Sequence, residues 1–172
     1  MVPLTIFLIL LILYMNFKAM IPTLIVMLSV PFAAIGAIFF LFFAGYNTSI
    51  AVWVGMIALL GIAAQTISIM LIYLEQSHKT WQKEKKINSV EDIISMTLSG
   101  ATQRIRPFIM AIGLNIIGLI PIMISTSVGS DIAKRIAIPL WGGFVSLTIL
   151  TLFVIPVIFA IWKMHLYKKN KL

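Results

Sequence analysis

Long runs without a single formal charge are what most constrain this chain. Four of them, Thr23 to Ala44, Ser49 to Leu74, Pro107 to Thr126 and Ile136 to Trp162, contain no Asp, Glu, Lys or Arg. A helix of roughly 20 residues crosses a hydrocarbon core of about 30 Å. In lipid the backbone must satisfy its own hydrogen bonds, so such runs are expected as helices. A fifth run, Met1 to Phe17, is shorter. It has no basic stretch ahead of it, unlike a signal peptide, and is expected to be a span cut near its outer end; an anchor or start-site artefact is the alternative. With 61% hydrophobic and 10% charged residues, the chain cannot cover a water-soluble globule. The expected class is an all-α polytopic transmembrane bundle of about five spans.

The charges fall into clusters between the runs. Of 13 Lys and Arg, Lys18 lies in the first turn, Lys79, Lys83, Lys85, Lys86, Arg104 and Arg106 lie between the third and fourth runs, and Lys163, Lys168, Lys169 and Lys171 form the tail. Only Lys134 and Arg135 are left for the other side. Basic residues in short loops are retained in the cytoplasm, so the N-terminus is expected outside and the C-terminus inside. The net charge of +8 then faces an anionic membrane surface. No aromatic and basic interleaving points to nucleic acid. With no cysteine and two separated histidines, His78 and His165, neither a Cys-type metal site nor a cofactor site is expected.

The organisation predicted is spans one to three over 1–74, a cytoplasmic loop over 75–106, spans four and five over 107–162, and a basic tail over 163–172. Within the loop, Ser89 and Asp92 form a helix-start signature. Val90, Ile93, Ile94 and Thr97 follow at i, i+3, i+4 and i+7, predicting a short amphipathic helix that ends near Gly100. It would lie on the membrane or dock on other parts of a larger protein.

Inside the spans, Gly61, Ala64 and Ser68 form a small-residue stripe expected to pack against a neighbouring helix. Gln65 and Asn115 are amides at depth and are expected to face protein, bonded between helices. No ionisable residue lies within a run, although ion-coupled transport ordinarily places one there. Met27, Met56, Met70, Met110 and Met123 are spread over different runs, a pattern of packing residues more than of a soft-metal site. No His, Asp, Glu or Cys constellation supports acid-base or nucleophilic chemistry, so an enzyme is not expected.

Four stretches, in order, resemble the heavy-metal efflux branch of the resistance-nodulation-division (RND) pumps, in particular its copper and silver exporters. They are SVPFAAIGA from Ser29, GMIALLGIAAQTISIMLIYLEQ from Gly55, GATQRIRPFIM from Gly100 and GSDIAKRIAIPLWGGFVS from Gly129. The resemblance implies the last five spans of a twelve-span pump, a half-bundle fragment from a truncated or split protein of the bacterial inner membrane. It further implies a proton-driven homotrimer, working with the remaining part of the pump, a periplasmic adaptor and an outer-membrane channel. It also exposes departures. Gln65 stands where those pumps carry a relay glutamate, Phe108 where they carry a relay lysine, and Ala133 where a metal-path methionine precedes the basic pair. Proton coupling and metal choice are the properties these changes touch. A non-transporting membrane scaffold or assembly partner is the alternative role.

Overall fold

The computed structural model describes residues 2–84 and 89–169, and every regular element in them is helical. The helices are α1 (Val2–Phe17), α2 (Met20–Phe43), α3 (Ile50–Lys83), α4 (Val90–Ile124), α5 (Ser130–Ile149) and α6 (Ile155–Lys169). Helices α5 and α6 form one rod, joined by a π-helical stretch at Leu150–Val154. Pro156, two residues past its end, has no N–H to donate to Leu152, and a widened turn absorbs that mismatch. Four helical rods are long and apolar enough to cross a membrane, and α1 contributes a shorter apolar helix over Phe7–Phe17. This agrees with the expected bundle of four full runs and one short one.

The turns follow local chemistry. Lys18, at φ 52°, closes α1, its N–H donating to the Tyr14 carbonyl at 2.8 Å. Gly45, at φ 68°, turns α2 toward α3, and the Val52 N–H donates to the Ser49 Oγ at 3.4 Å to cap α3. Gly129, at φ 85°, precedes α5.

Between α3 and α4 the structure corrects the expected loop. At about 1.5 Å per residue, helices of 34 and 35 residues reach roughly 50 Å, well past the hydrocarbon. Both run on into the polar segment: Glu75–Lys83 continues α3, and α4 passes through Gly100 without a break. The start signature is as expected, a capping box in which the Ser89 N–H donates to Asp92 Oδ2 at 2.8 Å and the Asp92 N–H to Ser89 Oγ at 3.2 Å. The expected stop fails for a geometric reason. A helix-ending glycine adopts positive φ, and Gly100 does not. Instead Gly100 is buried against α3, where an added Cβ would come within 2.9 Å of the Ser77 Cβ. Of the apolar face, Ile93 and Thr97 are buried with Met96, whereas Ile94 is exposed. Lys85, Lys86 and Lys171 of the basic clusters lie outside the described residues. Likewise Lys134 and Arg135 sit in the first turns of α5, not in a loop.

Helix α3 runs through the middle of the bundle, touching α2, α4, α5 and α6, while α2 and α5 share the most extensive contact. The main core joins Val26, Ala33, Ala37, Leu59, Ala63, Ile67, Met70, Phe144 and Leu147. The crossings of α5 with α2 and with α3 rest on glycine. Gly36 of α2 meets Gly142 of α5 backbone to backbone, Gly55 meets the Ile136 carbonyl and Pro139, and Gly143 receives the Leu59 side chain. Ser146 donates through Oγ to the Ala33 carbonyl at 2.7 Å, tying α5 to α2. Helix α4 is the least covered: its most apolar 18-residue stretch is 11% buried, against 39% for α3.

Candidate functional site: the open face of the bundle and its polar end

The residues singled out in the sequence do not converge. Gln65 faces out of the bundle on α3, exposed together with Ala58, Gly61 and Ile72 on the side opposite the buried Ala63, Ile67 and Met70. An added Cβ at Gly61 would meet nothing within 4 Å. Ser68 is buried, but its Oγ donates to the Ala64 carbonyl of its own helix at 2.7 Å. Gly61 of the small-residue stripe therefore makes no tight crossing among the described residues, and the tight glycine crossings lie at Gly36, Gly55, Gly100, Gly142 and Gly143. Asn115 is also exposed. It lies on one stripe with the buried Phe108 and Ile112, at i+7 and i+3, while the neighbouring Ile116 and Leu119 still pack against the main core. Among the described residues, the interhelical amide bonds expected for Gln65 and Asn115 are not made.

Phe108 has the opposite environment, 2% exposed in the main core. One turn earlier the Arg104 guanidinium lies 5.7 Å from the Tyr73 ring centroid, an α4 to α3 contact that sequence inspection missed. Ala133 is half-buried and lines a shallow depression with Pro121, Ser125, Val128 and Ser130 at the far end of the bundle. The outer surfaces of α3 and α4 thus each carry an exposed amide, and α4 also has the small Gly113 and Gly118, whose Cβ positions are empty. An amide in hydrocarbon without a partner is costly, so these surfaces suit coverage by further protein.

The charged groups collect at the two ends. At the end holding Lys18, the last turns of α3 meet α4 and α6. Ser77 Oγ donates to the Met96 carbonyl at 2.9 Å, and Glu75 pairs with Lys163 at 3.8 Å. Lys163 also lies 4.3 Å from the Trp162 ring centroid and 5.4 Å from that of Phe159. Glu75, His78 and Lys163 lie beyond the uncharged runs. Burial, opposed by Glu75, holds the Lys163 ammonium below its ordinary pKa, with Lys79 adding to the depression. Burial first, then Lys163 and Lys79, lowers His78 to about 4. At the other end Arg135 pairs with Asp131 at 2.9 Å and covers Tyr46 at 5.5 Å. Among the described residues no three His, Cys, Asp or Glu come together as a metal site.

Comparison with known proteins locates this bundle. Residues 1–163 match the AcrB/AcrD/AcrF family. The chain is 35% identical to the cation efflux system protein SilA of Salmonella typhimurium over 172 residues, 99% of this chain and 16% of that protein. It is 34% identical to the cation efflux system protein CusA of Escherichia coli K12 over 173 residues, again 99% of this chain and 16% of the relative. A crystal structure of a heavy metal efflux pump superposes with a TM-score of 0.80 at 26% identity, covering 95% of this chain and 15% of the pump. The chain therefore spans about one sixth of the length of the relatives it matches. From its helices and from these likenesses, this chain belongs to the AcrB/AcrD/AcrF family as a CusA-like RND efflux segment.

Proposed function

We propose that the chain forms part of the membrane domain of a cation-efflux RND transporter, acting on heavy-metal cations of the copper and silver kind and not as an enzyme. The observation that carries this reading is the superposition of 95% of the chain on a heavy metal efflux pump. The chain sits in the bacterial inner membrane with its N-terminus outside and C-terminus inside, which puts the end holding Lys18, Lys79 and Lys163 in the cytoplasm. It works with further pump spans that cover Gln65, Asn115 and the bare face of α4, and so does not transport alone. A homotrimeric pump driven by protons, with a periplasmic adaptor and an outer-membrane channel, is the assembly this reading supplies.

Gln65 and Phe108 bear on how such a pump would be driven. A glutamine exchanges hydrogen bonds but takes up no charge, and a phenylalanine buried in the core does neither. These two residues favour, as a second reading, a non-transporting scaffold that keeps the helix contacts and lacks the relay. The test is a CusA chimera carrying this segment in place of its matching spans, expressed in a copper-sensitive strain. The chimera is expected to confer little tolerance, and Gln65→Glu with Phe108→Lys to raise it. Phe108→Lys alone is expected to lower the amount of protein in the membrane, because a lysine at depth costs roughly 2.5–3.5 kcal/mol. Full tolerance from the unaltered chimera would show that these positions do not silence coupling, and no gain from the double change would favour the scaffold.

A further inference from the structure

Where α1 turns into α2, a cavity of about 400 Å³ opens between that corner and the end of α3. Asn16, Phe17, Lys18, Ile72, Glu75, Gln76 and Lys79 line it. The lining is graded along the bundle axis. Phe17 and Ile72 belong to the ends of uncharged runs, whereas Lys18, Glu75, Gln76 and Lys79 lie just beyond them. The cavity therefore straddles the level where hydrocarbon gives way to headgroups.

Its charge is positive. Lys18 and Lys79 are exposed, and neither enters an ion pair among the described residues. The one carboxylate, Glu75, is 19% exposed and faces the Lys163 ammonium at 3.8 Å, so its charge is compensated from the protein side. Asn16 and Gln76 add neutral amide donors. The left-handed backbone at Lys18 fixes the lysine at the corner itself. Two ammonium groups and two amides above an apolar floor match a phosphodiester with acyl chains beneath it. A free phosphate would use the donors and leave the exposed Ile72 uncovered.

We infer that this cavity binds the phosphate-bearing headgroup of an anionic phospholipid. The inference rests on the chain spanning a membrane and is independent of what the pump exports. It is tested on the full chain in detergent by native mass spectrometry, titrating phosphatidylglycerol, phosphatidylcholine and inorganic phosphate. Phosphatidylglycerol is expected to bind saturably and more tightly than phosphatidylcholine. Each of Lys18→Gln and Lys79→Gln is expected to weaken it about fivefold, and the double change about twenty-five-fold, the factors matching roughly 1 kcal/mol per lysine near a charged surface. The Lys18→Arg, Lys79→Arg pair is expected to keep binding, as is Lys168→Gln, which removes a cation outside the cavity. Helical circular dichroism checks that each variant is folded. Equal binding of the two lipids, unchanged binding in the folded double glutamine variant, or an equal loss in Lys168→Gln would overturn the inference. Displacement of the lipid by an equal concentration of inorganic phosphate would reassign the site to the free ion.

Discussion

His78 stands one turn beyond the uncharged stretch of α3, half-buried and facing Lys163 and Lys79. Its pKa of about 4 lies below the ordinary value of 6.5, so at neutral pH the folded chain carries it uncharged. Between those values the unfolded state binds more protons, and stability rises with pH. The contribution is complete above pH 6.5 and lost as pH falls toward 4. Thermal unfolding in detergent is therefore expected to show a lower midpoint at pH 5 than at pH 7, and His78→Gln to flatten that dependence. An unchanged slope in the variant would place the proton elsewhere. At this scale the sequence is only partly legible. The Ser89 and Asp92 cap could be read directly, because a capping box needs only residues three apart. The environment of His78 could not, because Lys163 reaches it from 85 positions along the chain, through the packing of α6 on α3.

At the level of helices the glycines divide into two kinds that look alike in the sequence. Gly142 lies against the backbone and Phe40 of α2, and a methyl group there must force the helices apart. Gly142→Ala is expected to destabilise the bundle by about 1–3 kcal/mol, the usual cost of overpacking. Gly61 faces open space, and Gly61→Ala is expected to lie within about 1 kcal/mol of the parent, toward greater stability. Unfolding midpoints of the two variants, measured side by side, check the contrast; equal losses would refute it. Spacing alone favoured Gly61, with Ala64 and Ser68, as the packing stripe. A stripe reports which residues share a helix face and says nothing about which partner helix that face meets. Gly100 makes the same point, because its role as a close-approach residue depends on α3 lying beside it.

For the whole molecule, the alternation of ends is internally consistent. Lys18, Lys79 and Lys163 gather at one end, and Tyr46 and Arg135 meet at the other. The absence of cysteine makes the orientation directly measurable. Val128→Cys, fully exposed in the turn before α5, is expected to react with a membrane-impermeant maleimide on intact cells. Ser95→Cys, exposed near the start of α4, is expected to react only after the cells are opened. The reverse pattern would invert the proposed topology. By itself the sequence determined the helical class, the number and extent of the apolar runs and the clustering of basic residues, because lipid imposes those rules on every stretch of chain independently. It also carried the likeness to efflux pumps, in motifs short enough to read in order. Only the tertiary structure decided that α3 and α4 overrun the membrane as continuous rods. It also decided that Phe108 is buried while Gln65 and Asn115 face outward, and that two lysines 61 positions apart line one cavity. Those outcomes depend on which helix lies beside which, and a local pattern of hydrophobicity does not encode that choice.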